Sequence, residues 1–264
     1  MKSIIVLWLA MVVAPGALAL DWQAALEGAH RAPENSARDD SRHPQQTLEF
    51  FGLQDGMTVV EIAPGGGWYT ELLAPLMKDN GTYYAAHHSL NAPGGYYRNS
   101  LGKYLQKLAA DPDVYGQVQI TQLAAPDMIT LAPPGSADLV VGFRNVHSWM
   151  RGDSLDETLS AAFTALKAGG TLGLVQHSTT ADITVEVMKK TGYVPQAYIV
   201  AAAEKAGFKL ASSSDINANP KDNGDHPNGV WSLPPGFRGG DTDKAMFAAI
   251  GESNRVTLKF IKPE

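Results

Sequence analysis

The stretch with most chemical content is Val59-Val60-Glu61-Ile62-Ala63-Pro64-Gly65-Gly66-Gly67-Trp68-Tyr69-Thr70. A carboxylate closes a short apolar, β-branched run, three glycines follow, and an apolar pattern at helical spacing begins. Glycine suits places where a ligand must approach the backbone closely, or where a turn takes dihedrals that a Cβ resists. Free N–H groups at the start of the next helix can receive the polar or acidic end of a ligand. The segment therefore reads as a ligand cradle. The plainer alternative is a tight strand-to-helix turn that binds nothing.

Three ligand classes use such a loop. A phosphate loop for nucleoside triphosphates ends in Gly-Lys-Ser/Thr, whereas Gly67 is followed by Trp68 and Tyr69, which excludes it. A dinucleotide loop needs a third glycine and an acid after the second strand. Here the third glycine is missing, and the second predicted strand runs out in Ala86-His87-His88. A nicotinamide-dependent oxidoreductase is therefore a distant alternative. The third class places the acid at the end of the first strand, where Glu61 stands.

Other groups could add chemistry. His147, between Asn145 and Trp149 and just past a predicted strand, could serve as a general base, because an unperturbed imidazole titrates near neutrality. It could equally be a loop histidine that only hydrogen-bonds its neighbours, and His177 has the same claim with less support. His87 and His88 point to opposite faces of a strand, so they do not share a metal ion. Trp68, Tyr69 and Trp149 offer π faces to a cation or serve as core and cleft wall. Asp222, Asp225 and His226 could hold a divalent ion or belong to a solvated loop, and Arg144 could anchor an acidic substrate or face solvent.

The elements needed to position these groups follow from periodicity. Met57–Ile62, Thr82–His87, Gln117–Leu123, Ala137–Phe143, Thr171–Gln176, Phe208–Ser212 and Arg255–Lys262 read as strands. Trp68–Lys78, Leu101–Ala110, a helix opened by a capping box at Ser154–Glu157, and Pro195–Ala206 read as helices. Ser89–Ser100 and 215–243 read as loops, and 21–55 as a polar helical extension ending in the apolar cluster Leu48, Phe50, Phe51 and Leu53. Strands alternating with helices predict a Rossmann-like, doubly wound, mostly parallel sheet of about seven strands. Residues 20–264 are read as one domain.

Composition narrows the function classes. With 44% hydrophobic and 18% charged residues the chain is of ordinary globular type. A net charge of -6 without a basic run argues against nucleic acid as a partner and leaves a small molecule. The absence of cysteine excludes disulfides, thiolate catalysis and cysteine-ligated metals. Lys2, the apolar run Ile4–Val13, the break at Pro15-Gly16 and the small residues of Ala17-Leu18-Ala19 have the form of a cleaved export signal over residues 1–19. The run falls short of the roughly 20 apolar residues of a membrane span. The expectation is an exported, periplasmic protein without stable membrane insertion.

Glu61-Ile62-Ala63-Pro64-Gly65-Gly66-Gly67 resembles the E/D-x-G-x-G-x-G motif of class I S-adenosylmethionine-dependent methyltransferases, with Ala63 in place of the first glycine. Leu166-Lys167-Ala168-Gly169-Gly170 resembles that family's turn before its fifth strand, and Asp138-Leu139-Val140-Val141 its fourth strand. Asn219-Pro220-Lys221-Asp222, Arg238-Gly239-Gly240-Asp241-Thr242-Asp243 and Lys259-Phe260-Ile261-Lys262-Pro263 extend the likeness to a family of exported bacterial predicted methyltransferases. The resemblance implies a class I methyltransferase fold and S-adenosylmethionine as cofactor. It implies that Glu61, Ala63, Pro64, Gly65, Gly66 and Gly67 hold the methionine part. It places Asp127 near the adenine, Asn145 in the loop after the fourth strand, and His88 or Ser89 at the ribose in place of the usual acid. A non-catalytic exported binding protein on the same fold is the alternative.

Overall fold

A computed structural model of the chain describes residues 19–92, 94–124 and 128–264. The export signal, apart from its last residue, and Asp127 lie outside the described residues. The strands are β1 (Thr58–Ile62), β2 (Thr82–His87), β3 (Gln119–Ala124), β4 (Met128–Thr130), β5 (Ala137–Phe143), β6 (Leu166–His177), β7 (Lys209–Ser214) and β8 (Arg255–Ile261). They form one sheet in the order β4-β3-β2-β1-β5-β6-β8-β7. The run β3-β2-β1-β5-β6 is parallel, and β8 lies antiparallel between β6 and β7. The predicted sheet is present, with one strand more than expected. That strand, β4, is a three-residue antiparallel edge piece on β3, too short for alternation to reveal it.

β1 pairs with β2 on one side and β5 on the other, so strand order reverses there. Open α/β sheets bind ligands in the crevice beyond the carboxyl ends of the strands at such a switch point. Alternation along β1 sends Val60 and Ile62 into one core and Val59 into the other, with Glu61 on the Val59 face.

The N-terminal extension packs onto the sheet through short helices, the last of which is Pro44–Phe51. Leu48 and Phe51 of that helix are fully buried, each worth roughly 2–3 kcal/mol of apolar burial. Gly173 of β6 permits this approach, because a Cβ there would stand 2.5 Å from the Phe51 ring.

Three local expectations are corrected. The helix placed at Leu101–Ala110 begins earlier, at Gly95, so half of the expected loop 89–100 is helical. Its exposed Tyr96 and Tyr97 disguise the pattern, and burial resumes only at Leu101 and Tyr104. Ser154 stands at the N-cap of the helix Leu155–Ala165, but its backbone leaves the extended region, at φ -127° and ψ 14°. Its hydroxyl donates instead to the Trp149 carbonyl, so the capping box is not formed. The helices Val146–Arg151, Val185–Thr191 and Lys244–Ile250 were not foreseen. Each is about two turns long or less, which is too short for a 3.6-residue period to stand out.

Candidate functional site

The glycine turn lies beyond β1 and leads to the helix Thr70–Met77. Ala63 takes φ 53°, the left-handed region that the family motif fills with glycine, at a cost of about 1 kcal/mol for a residue with a Cβ. Asn145 holds it there by donating from Nδ2 to the carbonyls of Ile62 at 3.1 Å and Ala63 at 3.2 Å. The three glycines then differ in kind. A Cβ on Gly65 or Gly66 would meet nothing within 4 Å, whereas one on Gly67 would stand 3.1 Å from the Tyr104 ring. Gly65 and Gly66 border open space, and Gly67 serves packing.

Glu61 is buried below this turn. Its Oε2 accepts from the Tyr83 hydroxyl at 2.5 Å and the Thr70 hydroxyl at 3.2 Å, and Thr70 lies 3.0 Å from the Tyr104 hydroxyl. Burial pushes the carboxyl up to about 7, and the two hydroxyl donors and Arg144 only partly oppose it. Oε1 has no protein donor among the described residues. His87 braces the turn from β2. Its Nδ1 accepts from the His88 N–H, so its Nε2–H donates to the Gly65 carbonyl at 3.0 Å.

Around these groups is a cavity of about 300 Å³, lined by Glu61, Ala63, Pro64, Gly65, Gly66 and Asn145 together with Asn35, Arg38, Arg42, Trp68, Tyr69, Phe143 and Arg144. The structure therefore brings together nine of the residues singled out in the sequence, Trp68, Tyr69 and Arg144 among them. Tyr69 and Phe143 form one wall as a stacked pair with ring centroids 3.4 Å apart. Trp68 turns its face to Arg42, whose guanidinium carbon is 4.5 Å from the ring centroid. Its indole N–H donates to the Asn35 carbonyl.

Other predicted site residues lie elsewhere. His88 is outside the lining, against the Tyr97 ring at 4.5 Å, and burial and His87 push it down to about 4. The Ser89 hydroxyl oxygen accepts from the Asn91 N–H. His147 is buried on the helix Val146–Arg151, away from the cavity lining. Gln176 fixes its tautomer. The Gln176 Oε1 accepts from the Val146 N–H, so its Nε2 donates to the Gly192 carbonyl and to Nδ1 of His147, at 3.1 Å. With Nδ1 engaged as acceptor, Nε2 carries the proton and His147 presents a donor. Burial and Arg151 push this imidazole down to about 4, so it stays neutral at physiological pH. His177 pairs through Nδ1 with the Ser253 hydroxyl at 2.5 Å.

Asp222 is the hub of a structural network. It accepts from the Tyr193 hydroxyl, from the backbone N–H groups of Gly224 and Asn254, and from His226 Nε2 at 2.8 Å.

Sequence reasoning missed Asn35, Arg38 and Arg42. They lie more than 18 residues before Glu61 in a polar segment with no local signal of chemistry. What carries them to the cavity is Glu71, fully buried on the helix after the glycine turn. It accepts from Asn35 Nδ2 at 2.8 Å and pairs with Lys107 and with Arg31, at 3.5 Å from Arg31 Nε. A buried charge needs partners, and this one draws the N-terminal segment across the loop.

No protein-family model matches the chain, and no curated protein matches it. Solved structures do. A SAM dependent methyltransferase from Aquifex aeolicus is 13% identical over 90% of this chain and 97% of that one, with a TM-score of 0.56. Geranyl diphosphate C-methyltransferase from Streptomyces coelicolor A3(2), in complex with Mg2+, geranyl diphosphate and S-adenosyl-L-homocysteine, is 12% identical over 93% and 90%, with a TM-score of 0.58. The 4+2 cyclase SpnF is 16% identical over 90% and 86%, with a TM-score of 0.59. These likenesses establish the fold: a Rossmann-like α/β sheet of the class I methyltransferase type.

Proposed function

We propose that the protein is an S-adenosylmethionine-dependent methyltransferase acting on a small-molecule acceptor. The observation that carries this reading is the open cradle at Gly65 and Gly66, directly beside the free oxygen of a buried carboxylate at the switch point of the sheet. The residues fit the group. Gly65 and Gly66 would admit it to the backbone, Glu61 Oε1 would accept from its ammonium end, and Asn145 holds the turn in shape. His88 and Asp127 fall to the ribose and adenine by the resemblance alone. When bound, the cofactor supplies an electrophilic methyl group on a sulfonium.

The chain's own work is alignment, which is the larger part of a displacement at carbon. The Tyr69–Phe143 stack excludes water from one wall. His147 accepts from Gln176 through Nδ1 and so braces the end of β6, and its other ring nitrogen carries a proton and has no lone pair for a substrate proton. We place the protein in the periplasm, on the form of residues 1–19, with no nucleic-acid partner on its acidic charge.

A second reading, a non-catalytic binding protein, is favoured by one observation: no carboxylate follows β2, where His87 and His88 stand. Fold alone does not choose between the two, and a 4+2 cyclase shares it. Calorimetric titration of residues 20–264 with S-adenosylmethionine, S-adenosylhomocysteine and NAD decides. Micromolar binding of the first two, lost in Glu61→Ala and not shared by NAD, is the expected result. Absence of binding at millimolar ligand rejects the methyltransferase reading.

A further inference from the structure

The cavity carries more positive charge than a methionine end requires. Arg38, Arg42 and Arg144 line it, and Arg255 stands behind them. One ionised acid serves this group. Glu252 Oε1 accepts from Arg38 Nε at 2.6 Å, and its Oε2 from Arg255 Nη1 at 2.9 Å and Arg42 Nε at 3.4 Å. Arg255 also donates from Nη2 to the Ser41 carbonyl, but the other guanidinium N–H groups of Arg38, Arg42 and Arg144 have no side-chain or carbonyl acceptor among the described residues. Arg42, 3% exposed, has a buried Nη1 without a partner, and Arg144 forms no ion pair among the described residues.

Arg144 reaches this position from a left-handed backbone, at φ 63°, directly after β5. Non-glycine residues keep such a conformation where the surroundings over-determine it, often at ligand sites. Burial and the neighbouring guanidinium of Arg144 push Arg42 down to about 8. A guanidinium keeps its proton in proteins, so burial and the like charge of Arg144 act against a charge that Arg42 cannot shed. A buried charge without compensation is costly, and the planar fork of arginine matches the paired oxygens of a carboxylate or phosphate.

We propose that Arg38, Arg42 and Arg144 form a seat for an oxyanion of the second substrate, so that the methyl acceptor is a small acid carrying phosphate, diphosphate or several carboxylates. This rests on the methyltransferase reading for the word acceptor, and on the cavity alone for the oxyanion. A cofactor carboxylate offers two oxygens and satisfies one fork, which leaves two guanidiniums on the lining for another anion. The seat is a positive cavity in a chain of net charge -6. Such a field turns away long polyanions and leaves small ones to enter.

The test uses inorganic phosphate, pyrophosphate and citrate as probes, titrated calorimetrically at constant ionic strength. Each is run with the free protein, the protein saturated with S-adenosylhomocysteine, and the protein with methylthioadenosine, which lacks the carboxylate. At least one probe is expected to bind in all three states, and about tenfold more weakly in Arg38→Gln, the size of one charge-assisted contact. Arg38 is the most exposed of the ion-paired arginines of this group, so that variant keeps its fold, which its melting temperature checks. Arg38→Lys, which keeps the charge and loses the fork, is expected to fall between. Anion binding abolished by S-adenosylhomocysteine but kept with methylthioadenosine makes the cluster a cofactor carboxylate site and overturns the proposal. So does binding of none of the probes. Anion binding without any S-adenosylhomocysteine binding upholds the oxyanion seat and rejects the methyltransferase reading.

Discussion

Glu61 and Glu252 are both largely buried, and both belong to the same cavity, one on its lining and the other paired to two of its arginines. Their electrostatic fates are opposite. Glu61 is met by the hydroxyls of Tyr83 and Thr70, and burial pushes it up to about 7. Burial acts on Glu252 in the same direction, but Arg42, Arg255 and Arg38 outweigh it and hold the carboxyl down to about 2. Burial alone therefore does not set a carboxylate's state; the charge of its neighbours does. The cavity has one acid whose charge is adjustable near neutrality and one whose charge is permanent. The first suits a cationic ligand end, and the second anchors a wall of arginines.

Removing the permanent charge should have the largest effect. Glu252→Gln leaves the surrounding guanidiniums without an ionised partner and should cost about 3 kcal/mol of stability at pH 7, read by urea unfolding. The penalty should shrink as pH falls from 4.5 toward 2, since the wild-type carboxyl titrates between its unfolded and folded values there. A cost below about 1 kcal/mol would mean that the arginines do not depend on this acid.

Glu61→Gln should act with the opposite sign. The wild-type carboxyl has a raised folded value, so its contribution is fully present below pH 4.5 and is lost as pH rises through about 7. Relative to wild type, the variant should gain about 3 kcal/mol as pH rises through those limits and level off above them. A difference independent of pH would contradict the ionisation assigned to Glu61.

The glycines sharpen the contrast between open floor and packed support. Gly67→Ala places a Cβ at φ 81° against Tyr104 and should cost about 1–2 kcal/mol in thermal unfolding. Gly66→Ala should change stability by no more than about 0.5 kcal/mol, while weakening S-adenosylhomocysteine binding measurably. Equal stability losses would remove the distinction. His147→Ala should have the smallest effect on chemistry, lowering turnover by no more than about threefold without changing the pH profile. A lost acidic limb in that profile would restore a proton-accepting role to His147.

Much of this site was legible because its chemistry is local in the chain. β2 and β5 fall on their predicted boundaries, since apolar or aromatic runs that open just after Asn80-Gly81 and Pro134-Gly135 leave little choice. The glycine turn was legible because an acid, a run of glycines and a helix stand in one 12-residue segment. Arg38 and Arg42 were not, because their role comes from Glu71 and Glu252, partners distant in sequence that pull a polar segment into place. His147 was legible as a histidine near the right strand end. Its tautomer depends on Gln176, which no spacing rule connects to it.

The most direct test of the whole account is a crystal structure of the protein with S-adenosylhomocysteine and pyrophosphate. The methionine end of the nucleoside ligand is expected over Gly65 and Gly66, with its ammonium on Glu61. The pyrophosphate is expected among Arg38, Arg42 and Arg144. A nucleoside ligand bound away from the glycine turn, or one whose carboxylate alone fills the arginine cluster, would contradict it.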